Sequence, residues 1–405
     1  MFFLLPFGND RRTSRFPAVT YSLIAANFIM FLWLLPLDRP SVINAFGVFP
    51  QHPTLRNMIT SMFVHVNVWH LAWNMLFLWL FGPNVEDALG RLEYTIFYLG
   101  SGLAASFLHV VMVHGLASAA NVPVVGASGA IAGILGIFAI RFYKTRIRVF
   151  WCFGILIYPL RWGSFTVPAV VGLGIWFLYQ FGAGVYSIAH QTAGGVAYWA
   201  HIGGMVFGMI LASALKMGSE GSKEYLMADA RSSIERGTTW DALENLHALL
   251  ERDPCNADAH AELAKTYTMQ QNRDRAIPHY QRSVDLYLDT GEREKAAACY
   301  AEMANNFRDA KLDLRSEFQI ARYLMETACH QPALKLFQSI FFTHPGTPEA
   351  EVCLMKAGDL CLDYFADPQR AAWCYERFLC EYPESTYRVM VEKSLDEAKK
   401  KLGRR

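Results

Sequence analysis

Carboxylates are almost missing from the apolar half of this 405-residue chain. Six apolar segments, at 18–36, 58–82, 93–114, 125–141, 166–183 and 194–215, share one acidic residue, Glu93, at the very start of the third. This excludes a Ser-His-Asp triad, a carboxylate proton relay and a two-metal carboxylate site from inside those segments. Cys-x-x-Cys is absent too: the eight cysteines, Cys152 and seven between Cys255 and Cys380, are all scattered. Such spacing speaks against a disulfide framework and suits a reducing compartment. No Lys or Arg precedes the opening apolar run "MFFLLPF", so a brief interfacial segment is expected there and not a secretory signal. Charge is thin throughout the first half. Residues 1–220 hold 12 Lys and Arg and 6 Asp and Glu, and the remaining 25 and 30 lie beyond.

The division predicts a membrane domain followed by a charged, slightly acidic soluble domain. Six segments of about 20 apolar residues are each long enough to span a bilayer. The segment 147–160 is short and ends near Pro159; it is expected to be half-inserted or interfacial, with a seventh span as the alternative. Loop charges favour six. Arg11, Arg12 and Arg15 precede the first segment, Arg91 lies between the second and third, Arg141, Lys144, Arg146 and Arg148 follow the fourth, and Lys216 follows the sixth. The loops after the third and fifth segments have neither Lys nor Arg. The positive-inside rule then places both termini in the cytoplasm. The expected location is a cell membrane crossed several times, of the bacterial inner-membrane kind.

Polar groups at membrane depth are costly, so each is a candidate for function. In the second segment His70 and Asn74 are four apart and share a helix face. His65, five before His70, is expected about 140° round the helix from it, a poor arrangement for a shared metal ion. The fourth segment opens on "VGASGAIAG", with Ser128 between glycines, and the sixth holds His201 in "AHIGGMVFG". His109 and His114 sit at the outer end of the third segment and are expected to reach the interface. Taken alone, Gly126, Gly129 and Gly133 around a serine read as a helix-packing motif, and Gly204 and Gly208 form a second small-xxx-small pair. Taken together, Ser128, His201, His70 and Asn74 fall at similar depth below the outer surface. They suffice for a Ser-His dyad with an Asn and a His as oxyanion donors.

At these positions the sequence resembles the rhomboid family of intramembrane serine proteases. Gly126-Ala127-Ser128-Gly129 matches the family's G-x-S-G, and His70 to Asn74 matches H-x-x-x-N. Ala200-His201 through Gly204 and Gly208 matches A-H-x-x-G-x-x-x-G, and "GPNVEDALG" repeats the glutamate and glycine after the second helix. The resemblance covers about residues 1–215. It implies Ser128 as nucleophile, His201 as base, and His70, Asn74 and the Ser128 backbone N–H around the oxyanion. The implied activity is cleavage of transmembrane segments of single-span or polytopic membrane proteins near the outer face, with no cofactor and no metal. Two features depart from the family pattern. Ala132 stands where many members carry an aromatic residue beside the histidine, and the chain has no Trp-Arg dipeptide.

Beyond the stretch "MGSEGSKE" the sequence turns helical. Ala276, Ala333 and Ala371 recur at similar places, the last two 38 apart and the first two 57 apart. Pro254, Pro345 and Pro383 follow second helices as in TPR arrays, whose period is about 34. The expected architecture is all-α: a rhomboid-like six-helix membrane bundle at 1–216, a linker at 217–230, and a cytoplasmic TPR-like helical repeat domain at 231–405. A generic helical domain without a peptide groove is the alternative for the last part. TPR arrays are binding surfaces, so a cytoplasmic protein or peptide partner is expected, and the mild acidity argues against nucleic acid. For the whole chain a proteolytically silent rhomboid-like adaptor is the rival reading. A solute channel fits less well, given the lack of acidic residues in the spans.

Overall fold

The computed structural model describes residues 2–116, 123–153, 161–190 and 197–403. The chain divides into two units, Met1–Tyr225 and Leu226–Arg405, each around its own apolar core.

In the first unit, helix α1 (Ala18–Leu34) is followed by short α2 (Arg39–Phe46) and α3 (Leu55–Thr60), then by α4 (Val68–Leu89), α5 (Arg91–Leu116), α6 (Ser128–Arg141), α7 (Ala169–Ala189) and α8 (Tyr198–Ala214). Helices thus occupy all six apolar segments, with boundaries set by local chemistry. The second segment differs most from expectation. Its first part is α3 and a 3-10 turn, Ser61–Phe63, after which the chain breaks. Asn67 then restarts the helix by accepting a bond from the His70 N–H at 2.8 Å, leaving α4 to run on to Gly90 at φ +91°. His65 lies in this break, off the helix that carries His70, so the expected separation of about 140° on one helix does not hold.

Among the described residues, α7 and the Arg91–Val113 part of α5 are long and apolar enough to cross a membrane singly, whereas α1 and α6 are apolar but shorter. Fourteen residues of α6 make about 21 Å, less than the roughly 30 Å of a hydrocarbon core. This helix needs no lipid contact of its own, because every residue from Gly129 to Phe138 is buried among its neighbours. A Cβ on Gly204 would run into the Gly129 carbonyl oxygen, and one on Gly208 into that of Gly133. The missing Cβ atoms of Gly129 and Gly133 point instead toward Ala105 and Ser101 of α5. One glycine pair therefore lets α8 touch the α6 backbone, and the other lets α5 do so.

Buried Glu86 replaces a cap. Pro17 offers no side chain to the start of α1, and the Glu86 carboxylate accepts from the Val19 N–H at 2.9 Å, the Thr20 N–H at 2.8 Å and the Thr20 hydroxyl at 2.7 Å. It satisfies helix-end donors and sits at the positive end of the helix dipole. Glu86→Ala is expected to cost about 3 kcal/mol, since the bonds are to a charged acceptor and nothing replaces it; a lowered thermal midpoint in micelles would register it. Glu224 pairs with Arg11 at 2.8 Å and with Arg141.

A small sheet was not anticipated. Strands β1 (Phe2–Asn9), β2 (Arg146–Phe153) and β3 (Arg161–Pro168) form an antiparallel sheet in the order β1-β2-β3. The opening segment is thus an edge strand. The segment 147–160 is a strand as far as Phe153, and 154–160 lie outside the described residues. The fifth apolar segment becomes helical at Ala169, because Thr166 to Pro168 complete β3. Pro6 and Pro168 are both on edge strands, where a missing N–H costs no ladder bond.

The stretch 217–230 is helical: it belongs to α9 (Met217–Glu235), within which the boundary between the two units falls. There follow α10 (Thr239–Arg252), α11 (Ala257–Met269), α12 (Arg273–Asp289), α13 (Arg293–Asn306), α14 (Leu314–Glu326), α15 (His330–Thr343), α16 (Pro348–Asp363), α17 (Pro368–Glu381) and α18 (Arg388–Leu402). Ala242, Ala276, Ala296, Ala333 and Ala371 are each the fourth residue of a helix and each fully buried. A methyl at that point lets one helix close onto the next. The long Ala276–Ala333 interval holds an additional single helix, α13, between the hairpins α11–α12 and α14–α15.

Between α11 and α12, His260 Nδ1 lies 2.9 Å from His279 Nδ1, and the His279 ring stacks on Tyr267. Burial, then the neighbouring His260 and His247, lower the His279 pKa to about 4; burial lowers that of His260 as well. The unfolded chain binds more protons than the folded one between pH 6.5 and about 4, so stability falls as pH drops through that window. The thermal midpoint of the second unit's transition in the full chain is expected to fall from pH 7 to pH 4.5, and His279→Asn to flatten that slope.

Candidate active site

Ser128 is the first residue of α6, and the turn before it is held by backbone bonds to Val48 and Ser61. Val48 and Val124 exchange backbone bonds at 3.0 and 2.9 Å. The Gly126 N–H donates to the Ser61 carbonyl at 2.8 Å, and Gly126 itself has φ +116°. That conformation favours glycine, and so does the space: a Cβ there would lie 2.7 Å from His70 Cε1. Ala127 gives α6 no side-chain cap, so the first N–H groups of the helix are without intrahelical partners and carry its positive end.

Across from this turn, α8 holds His201 with Nε2 2.9 Å from Ser128 Oγ. The closeness follows from the Gly204 and Gly208 contacts with α6 described above. From α4, the His70 ring and the Asn74 amide face Gly126, Asn74 Nδ2 lying 3.8 Å from where a Gly126 Cβ would be. Asn74 is buried and donates one amide hydrogen to the His70 carbonyl at 2.8 Å, leaving the other amide hydrogen uncommitted by that bond. The nine site residues singled out in the sequence, Ser128, His201, His70, Asn74, Gly126, Gly129, Gly133, Gly204 and Gly208, therefore fall around one junction of α4, α6 and α8. His65 is near it, its ring 5.1 Å from that of His70. His109 is buried in the bundle and does not reach an interface; the His114 side chain lies outside the described residues.

Sequence reasoning missed two residues, both on α7. Gln180, 5% exposed, places Oε1 2.9 Å from His201 Nδ1, and the Trp176 ring centroid is 5.7 Å from that of His201. A signal was present, since Gln180 is the one side-chain amide in the fifth apolar segment and polar groups there are costly.

Chemically, a hydroxyl bonded to an imidazole beside a helix N-terminus, with a second imidazole and an amide close by, is an arrangement for acyl transfer. Residues 52–217 match the family model of the Rhomboid domain, and this part of the chain is a rhomboid domain. The protein is accordingly an integral membrane protein, joined to a TPR-like helical array. Among curated relatives, Rhomboid protein 1, mitochondrial, of Saccharomyces cerevisiae is 31% identical over 201 residues, covering 47% of this chain and 51% of its own. The human presenilin-associated rhomboid-like protein, mitochondrial, is 30% identical over 195 residues, 46% of this chain and 45% of its own. Rhomboid protease GluP of Bacillus subtilis is 26% identical over 322 residues, 71% of this chain and 57% of its own. The chain spans about half the length of the curated relatives it matches. Among solved structures, MamA aligns with 45% of this chain and 83% of its own at 16% identity and a TM-score of 0.23. The TPR protein YrrB aligns with 45% and 96% at 14% identity and a TM-score of 0.23.

Proposed function

We propose that this protein is an intramembrane serine endopeptidase that cuts transmembrane segments of other membrane proteins near the outer face. The observation that carries the reading is the 2.9 Å contact between Ser128 Oγ and His201 Nε2 at the uncapped start of α6. In this mechanism the Ser128 hydroxyl gives its proton to His201 Nε2 as Oγ attacks the scissile carbonyl. Negative charge then develops on the carbonyl oxygen, opposite the Ser128 N–H, Asn74 Nδ2 and His70. The imidazolium returns its proton to the leaving amine, the C–N bond breaks, and an acyl ester remains on Ser128. Water, deprotonated by the same nitrogen, cleaves that ester and restores the hydroxyl.

The division of labour we propose follows the sequence: catalysis in 1–216 and recruitment of a cytoplasmic partner or substrate tail by the helical array at 231–405, both termini being cytoplasmic. The 322-residue match to GluP extends past the rhomboid domain, whereas the mitochondrial relatives match 195–201 residues; this supports a bacterial cell membrane as the setting. The test is reconstitution into liposomes with a single-span substrate, comparing the wild type with Ser128→Ala and His201→Ala. Cleavage lost in both variants supports the protease. Substrate bound equally by all three but cut by none would make the protein an adaptor.

A further inference from the structure

Among the described residues no carboxylate bonds His201, and Ala132 gives it no aromatic support from α6. Both tasks fall to a single face of α7. Gln180 and Trp176 are four residues apart, hence one above the other on the helix, and both meet the His201 ring, the amide through Nδ1 at 2.9 Å and the indole at 5.7 Å between centroids. We propose that Gln180 is the positioning residue of the dyad: its amide oxygen accepts the Nδ1–H of His201 and thereby fixes the tautomer in which Nε2 is free to take the Ser128 proton.

Donors and acceptors set the role of each ring nitrogen. A neutral imidazole has one N–H and one lone pair, and the bond made at one nitrogen decides the role of the other. An amide oxygen can only accept, so Gln180 Oε1 at 2.9 Å requires the proton on Nδ1. Nε2 is then the acceptor that faces Ser128 Oγ at 2.9 Å. The Ser128–His201–Gln180 line is continuous and directional, and it draws on three helices, α6, α8 and α7. Gln180 is buried, so water does not compete freely for Nδ1. An amide keeps the line neutral in the resting state, which spares the bundle a carboxylate at membrane depth. Once His201 has taken the proton, the same amide oxygen still accepts from Nδ1–H and holds the ring while Nε2 passes its proton to the leaving amine.

This inference rests on the Ser128–His201 reading above, and its test keeps the two apart. Full-length wild type, Gln180→Leu and Gln180→Glu are reconstituted with the same single-span substrate, and Ser128 labelling by a fluorophosphonate is timed alongside. Leucine keeps the bulk and removes the acceptor, whereas glutamate keeps an oxygen for Nδ1. Gln180→Leu is expected to lose about 10- to 100-fold in kcat and in labelling rate, the usual effect of removing a group that orients a functional histidine, with KM and thermal midpoint unchanged. Gln180→Glu is expected to recover most of that loss. Wild-type rates in Gln180→Leu, or equal impairment of the two variants, would overturn the role of Gln180 alone. A wild type that neither cuts nor is labelled at Ser128 would instead overturn the dyad.

Discussion

Ser128→Ala is expected to lower the cleavage rate of a reconstituted single-span substrate by at least about 10³-fold, His201→Ala to do the same, and the double variant to do no worse. Serine at its ordinary pKa is a weak nucleophile, and the 2.9 Å bond to His201 Nε2 is what makes its oxygen reactive. Loss of either partner removes the same step, so the two losses do not add. Helix-end donors and substrate positioning survive both changes and leave a residual rate above that in water. Small side chains replace larger ones at half-buried positions in each case, and the glycine contacts of α8 with α6 are untouched. Folding is therefore expected to persist, and equal thermal midpoints would show that chemistry alone was lost. Additive losses in the double variant would mean that Ser128 and His201 do not act as one unit.

What could be read from the sequence followed the strength of each physical signal. Ser128, His201, His70 and Asn74 stood out because polar groups in apolar runs are costly, and the structure places all four around one junction. Gln180 carried the same signal, but its partner lies 21 residues away on the next helix, and no spacing rule connects them. The β-sheet was legible in part: "RIRV" and "SFTV" alternate polar and apolar residues, the period of a strand. The long apolar stretch around them concealed it, since a membrane segment and a buried strand look alike to a hydropathy count. The break at 64–67 was hidden for the same reason, although Asn67 three residues before His70 is a cap signal. In the second unit the recurrent alanine fixed the start of successive helices. The unequal spacing between repeats became intelligible only when α13 filled it.

The oxyanion donors carry the second large effect. Asn74→Ala is expected to reduce kcat by about 10²- to 10³-fold with little change in KM, because a donor aimed at developing charge acts mainly in the transition state. His70→Ala is expected to cost less, since His70 is half-buried and exposed to competing water, whereas Asn74 is buried. Asn74 also uses one amide hydrogen to tie itself to the His70 carbonyl at 2.8 Å. That bond aims the second hydrogen, so Asn74→Asp, which keeps the shape and removes the donors, should be as damaging as alanine. Gly126→Ala offers an independent approach to the same cavity. It strains a backbone at φ +116° and drives a methyl to within 2.7 Å of His70 Cε1, so it should displace the ring without touching Ser128 or His201. All four variants are expected to be labelled slowly by a fluorophosphonate, whose phosphoryl oxygen occupies the place of the carbonyl oxygen. Rapid labelling of Asn74→Ala would move the oxyanion away from α4 and leave it to the N-terminus of α6 alone.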